Sequence, residues 1–147
     1  MDERFQSHER WYDGSRPTQV PARILAVDDH TDTREVLATV LSLEGYLVAT
    51  SRDGASAIST VMTFRPDIIL LDITLPDMSG IEVLQRLRAA GLTRPAIAVT
   101  ALAFDTDKSA YREAGFSALC RKPVDIDNLL DVLRELIGPI GPVARAR

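Results

Sequence analysis

A chain of 147 residues, 46% of them hydrophobic, is long enough for one domain that buries a core without disulfide or metal staples, and leaves no room for a second. Its formal charge of -4, with acids and bases interspersed, offers no electrostatic footprint for phosphate backbones or anionic lipid, so direct binding to nucleic acid or a membrane surface is not expected. The lone Cys120 cannot form an internal disulfide, sits in a short apolar run and reads as a core residue, which suits a reducing cytoplasm.

Residues 1–22 are polar, carry Gly14, Pro17 and Pro21, and show neither helical nor strand periodicity. They read as a flexible N-terminal extension with Trp11 and Tyr12 as apolar handles. It lacks an apolar signal core, and no later stretch reaches membrane-spanning length, so a soluble intracellular protein is expected.

The first apolar run is 24–27. After it, Val36, Leu37, Val40 and Leu41 share a helical face, and Gly45 is placed to end that helix. The second run, 47–49, precedes a weaker stripe of Ala57, Ile58, Val61 and Met62, with Pro66 as the stop. After the third run, 68–71, Ser79 and Glu82 have the spacing of a capping box; Val83, Leu84 and Leu87 face inward, and Gly91 closes the helix. The fourth run, 96–99, leads to the thinnest apolar face, Ala110, Tyr111 and Ala114, so this helix is expected to be the most loosely held. Following the fifth run, 118–120, Asp125 can cap a helix striped with Leu129, Leu130, Leu133, Leu136 and Ile137 and ended by Gly138. The tail 139–147 has helix breakers and no pattern, and reads as a linker or plain end. The folded domain is therefore placed at 23–138.

Short apolar runs alternating with helical segments are the pattern of a parallel sheet. The first, third and fourth runs lack polar interruptions, as strands covered on both faces do. The expected fold is α/β: a doubly wound (βα)5, flavodoxin-like three-layer sandwich with a parallel five-stranded sheet of order 2-1-3-4-5. In such a sheet ligands bind beyond the carboxyl ends of the strands, where the order reverses. Asp28 and Asp29 follow the first strand, Asp72 ends the third, Thr100 ends the fourth and Lys122 lies just past the fifth. These residues are expected to meet in one shallow pocket.

Three carboxylates brought together repel one another unless a cation enters. Magnesium prefers hard oxygen ligands and commonly shares its sphere with a phosphate oxygen. Asp29 and Asp72 are assigned as direct ligands and Asp28 as a ligand through water or an orienting base, with the Thr74 backbone carbonyl completing the set. A carboxylate can attack phosphorus to give an acyl phosphate. Lys122 would then neutralise charge on the transferred group, the Thr100 hydroxyl would hydrogen-bond it, and Pro123, through a cis bond, would aim Lys122 inward.

Taken singly, each residue has a plainer explanation. Asp28 and Asp29 are good helix caps, Asp72 suits a solvated strand end, Thr100 a sheet margin and Lys122 an exposed surface. Their joint placement at carboxyl strand ends favours the functional reading. His8 and His30 lack partners at metal-ligand spacing and are assigned to the surface.

The motifs VDD at 27–29, LLDITLPDMSG at 70–80, TA at 100–101 and KP at 122–123 together resemble the receiver domains of two-component response regulators. The resemblance covers 23–138 and rests on the order and spacing of the motifs, none of which is specific alone. It implies that Asp72 is the phosphoacceptor, served by a histidine kinase or histidine phosphotransfer protein, and that the adjacent acids bind Mg2+. It further implies that Thr100 and Lys122 respond to the phosphoryl group, with Thr100, Ala101, Leu119 and Pro123 as the switch positions. Leu119 stands where receivers usually have an aromatic residue, and Val124 where they often have phenylalanine. A downstream protein target of unknown identity, and a homodimer through the face of helices 4 and 5, belong to the same expectation. Such a domain is not a turnover enzyme, although it catalyses its own phosphorylation and dephosphorylation. Apolar Leu102, near the pocket, is expected to slow hydrolysis of the acyl phosphate.

Three competitors fit less well. A haloacid-dehalogenase phosphatase needs DxD after its first strand and a cap; a nucleotide or flavin module needs a glycine-rich loop there, or GxxxxGK. The alternative that remains is a degenerate, phosphorylation-independent receiver acting as a protein-interaction module, whose acid pocket would normally be broken.

Overall fold

The structure, a computed structural model, describes residues 21–101 and 108–138. Five strands, β1 (Arg23–Val27), β2 (Leu47–Ser51), β3 (Ile68–Asp72), β4 (Ala96–Thr100) and β5 (Ala118–Arg121), alternate with five helices. The helices are α1 (Thr31–Leu43), α2 (Gly54–Phe64), α3 (Gly80–Ala89), α4 (Lys108–Ala114) and α5 (Ile126–Ile137). The strands form one parallel sheet in the order β2-β1-β3-β4-β5. The order reverses beside β1, which lies between β2 and β3.

Strand alternation divides the core between the two faces of the sheet. Ile24, Ala26, Ile68, Leu70, Ile97 and Val99 pack with Leu37 and Leu41 of α1 and the stripe Leu129, Leu133, Leu136 and Ile137 of α5. Leu25, Val27, Ile69, Leu71, Ala96 and Ala98 pack on the other side with Ala57 and Val61 of α2, Val83, Leu84 and Leu87 of α3, and Tyr111 of α4. Two apolar faces explain why β1, β3 and β4 read as unbroken apolar runs.

Helix ends follow local chemistry. The Asp125 carboxylate accepts the Asn128 N–H at the start of α5, and the Ser79 hydroxyl accepts that of Glu82 at the start of α3. The reciprocal arm of the expected capping box is replaced: the Glu82 carboxylate turns to Arg86, 2.7 Å away on the next turn. Helix α3 closes in a Schellman arrangement, with Gly91 at φ 103° and the Leu92 N–H donating to Leu87.

Three expected core positions are corrected. Val36 and Met62 are 54% and 68% exposed, and Ala110 is exposed as well. Helices α1 and α2 flank the edge strand β2, where less sheet is available to cover, so their buried stripe narrows to Leu37 with Leu41 and Ala57 with Val61. Most of the N-terminal extension with His8, Trp11 and Tyr12, the tail 139–147 and Leu102 lie outside the described residues. Among the described residues no helix is long and apolar enough to cross a membrane.

Candidate functional site

The parallel register brings the carboxyl ends of β1, β3, β4 and β5 to one edge. Asp28 extends β1 by donating its N–H to Ser51, and is 2% exposed. Asp72, the last residue of β3, pairs in register with Val99 and is 3% exposed. Thr100 follows Val99 and is fully buried, and its carbonyl accepts the Lys122 N–H at 2.8 Å. That bond fixes the start of the turn beyond β5, where the Lys122–Pro123 peptide is cis.

Lys122 closes the pocket. Its Nζ lies 2.7 Å from Asp28 Oδ2 and 3.1 Å from Asp72 Oδ2, so one ammonium bridges two carboxylates from different strands. The other oxygen of Asp72 accepts the Thr74 N–H at 2.9 Å, and that of Asp28 accepts the His30 N–H at 2.9 Å. Both are turns in which an aspartate accepts from the backbone two residues on. Gly80 packs against this corner so closely that a Cβ there would stand 2.4 Å from the Asp72 carbonyl oxygen.

Burial disfavours ionisation of both buried acids, with opposite outcomes. For Asp72 burial prevails over the Thr74 and Lys122 hydrogen bonds and raises the carboxyl above its ordinary value, aided by the Asp28 charge. For Asp28 burial is outweighed by the combined hydrogen bonds of Lys122 and the His30 N–H together with the Lys122 charge, and the carboxyl is lowered. Burial works against the Lys122 ammonium as well, but the two carboxylates overcome it and its value is raised.

The structure therefore brings Asp28, Asp72 and Lys122 into contact. Asp29 stands at the rim, its side chain about one-third exposed. Ala101 is exposed; Leu119 is buried with the α4 side of the core, beside Tyr111 and Phe116. Asp28 and Asp29 do not cap α1, whose N-cap is His30 without a side-chain cap bond.

Two participants go beyond what the sequence pattern predicts. The pattern assigns His30 to the surface, yet its Nδ1 lies 3.1 Å from Asp28 Oδ1 and 3.3 Å from Asp29 Oδ1; its position two residues after a strand-ending aspartate is the available signal. Asp77 accepts the N–H groups of Gly54 and Ala55 at 2.8 and 2.9 Å, tying the loop after β3 to the start of α2. A contact between residues so distant in the chain has no local signature.

One ligand atom from each of Asp28, Asp29, His30 and Asp72 lies within 4.8 Å of the others. The carboxylates outnumber the single ammonium between them, so the pocket keeps an excess of negative charge and hard oxygen donors. That donor set fits a divalent cation.

In doubly wound sheets ligands bind beyond the carboxyl ends of the strands where the order reverses, and the buried acids and the lysine stand at that edge. The sequence matches the response regulator receiver domain family over residues 24–134, and the chain belongs to that family. It is 36% identical over 121 residues to the probable transcriptional regulatory protein TcrX of Mycobacterium tuberculosis, covering 82% of this chain and 52% of that protein. It is 39% identical over 110 residues to the sensor histidine kinase RcsC of Escherichia coli, covering 75% of this chain and 12% of that protein. Among solved structures it resembles a CheY-like receiver domain from Methanospirillum hungatei, with a TM-score of 0.74 and 30% identity over 81% of this chain and 94% of the other. The chain thus spans about half the length of one curated relative and a small part of the other.

Proposed function

We propose that this receiver domain takes a phosphoryl group on Asp72 from the phosphohistidine of a histidine kinase or a histidine phosphotransfer protein. The observation that carries the reading is Lys122 Nζ held between Asp28 and Asp72 at 2.7 and 3.1 Å. In the transfer an Asp72 oxygen forms a bond to phosphorus, the phosphorus–nitrogen bond of the donor breaks, and the donor imidazole recovers its electron pair. Asp29, Asp72 and the Thr74 carbonyl would hold Mg2+, with Asp28 acting through water, and the ion would neutralise charge on the phosphoryl oxygens. Lys122 exchanges its contact with Asp72 for one with a phosphoryl oxygen, and the Thr100 hydroxyl supplies a hydrogen bond. The domain performs this chemistry on itself rather than turning over a substrate.

The output in this reading is a population shift. Thr100 moves toward the phosphoryl group, the loop through Ala101 follows, and Leu119 and Pro123 adjust, changing the affinity of the face formed by α4, β5 and α5. A downstream protein, or a second copy joined through the α4 and α5 face, reads the change in the cytoplasm. Incubation with Mg2+ and acetyl phosphate, followed by intact-mass measurement, is expected to show the addition of one phosphoryl group in the native chain and none in Asp72→Ala. No addition, or one that survives the substitution, defeats the reading.

A further inference from the structure

His30 has no task in the phosphoryl transfer described above, and its side chain does not cap α1. Its ring is 68% exposed, yet it is turned over the pocket: Nδ1 lies 3.1 Å from Asp28 Oδ1 and 3.3 Å from Asp29 Oδ1. Two donors bound to one ion at bond lengths of about 2.1 Å stand roughly 3.0 to 3.4 Å apart, from octahedral to tetrahedral geometry. Both spacings fall in that interval; with no ion between them the Nδ1–Asp28 contact is a hydrogen bond, and an Asp72 oxygen lies within 4.8 Å of the other donor atoms. Asp28 divides its oxygens, Oδ2 facing Lys122 and Oδ1 facing His30, so an ion on the Oδ1 side leaves the lysine contact intact. Magnesium makes little use of an imidazole nitrogen, whereas manganese and zinc accept mixed nitrogen and carboxylate sets, zinc most strongly.

We propose that His30 is a metal-selecting residue, adding an imidazole nitrogen to Asp28, Asp29 and Asp72 so that Zn2+ or Mn2+ competes with Mg2+ for the phosphoacceptor pocket. The inference rests on the reading of that pocket as a divalent-cation site.

Two measurements on the full chain test this. Pulsed electron paramagnetic resonance of the Mn2+-loaded protein is expected to show coupling to a 14N nucleus in the native chain and in His8→Ala, and none in His30→Ala. Calorimetric titration is expected to show Zn2+ affinity falling about tenfold or more in His30→Ala, a loss clearly larger than any change in Mg2+ affinity. If Mg2+ binds but nitrogen coupling is missing, or if Zn2+ affinity is indifferent to His30, the metal-selecting role is overturned and the magnesium pocket stands. If the native chain binds neither Mg2+ nor Zn2+, both readings fall together.

Discussion

Lys122 supplies one positive charge to two buried carboxylates, and the imbalance falls on Asp72, the acid in which burial prevails over the hydrogen bonds it receives. A carboxyl raised in the folded state above its unfolded value costs stability at every pH where it is ionised; the cost shrinks as pH falls through the folded value and is gone below the unfolded one. Asp72→Asn is therefore expected to melt a few degrees above the native chain near neutral pH in EDTA, since it removes the disfavoured charge and leaves Lys122 paired with Asp28. Toward acid pH the native chain protonates the same group, and the difference should close. Saturating Mg2+ should reverse the order, because an ion that binds only the folded native site stabilises it by linkage. Thermal melts in EDTA and in Mg2+, near neutral and at acid pH, measure all of this; an Asp72→Asn protein that melts below the native chain in EDTA would show that Asp72 is not under electrostatic strain.

The helices and turns that carry these side chains are positioned by backbone contacts whose tolerance differs sharply. At Gly80 a Cβ would meet the Asp72 carbonyl oxygen at 2.4 Å and the Ile73 Cα at 2.9 Å, both at the end of the strand that presents Asp72. At Gly91 nothing lies within 4 Å of such a Cβ, and the glycine is required only by its φ of 103°. Gly80→Ala is expected to cost about 2–3 kcal/mol through overpacking and to reduce phosphoryl uptake, because β3 must shift. Gly91→Ala should cost about 1–2 kcal/mol from backbone strain and leave uptake intact. Urea unfolding combined with the acetyl phosphate mass assay separates the two; equal penalties, or normal uptake in Gly80→Ala, would mean the loop after β3 yields more readily than its packing implies.

Across the whole molecule, the helices are held unequally. Helix α5 buries six residues against one face, whereas α4 is seven residues long and Tyr111 is the one buried residue among those of α4 whose burial is described. Tyr111 meets Phe116 edge to face, with ring centroids 6.2 Å apart, and both lie in the same cluster as Leu119. An element with so little buried surface opens at low free energy. Amides of α4 are expected to exchange with deuterium faster than those of α5, and beryllofluoride with Mg2+ should change the α4 rates more than the α1 rates. Protection in α4 equal to that in α5, or no response to the phosphoryl mimic, would exclude α4 as the moving part.

The alternation of strands and helices, the helix caps at Ser79 and Asp125 and the α5 stripe were legible in the sequence, because period, capping and turn chemistry are local; the strand order came from the doubly wound fold class that this alternation suggests. The placement of Asp28, Asp72, Thr100 and Lys122 at one edge was legible for a related reason: once the sheet order is known, the end of each strand has a known neighbour. Tertiary structure alone decided how the charge is shared, with Lys122 between Asp28 and Asp72, His30 folded over the acids and Asp77 reaching to Gly54. It also left Val36 and Met62 outside the core. Those outcomes depend on distances between segments far apart in the chain and on how much sheet each helix has to cover, quantities that no local pattern of residues encodes.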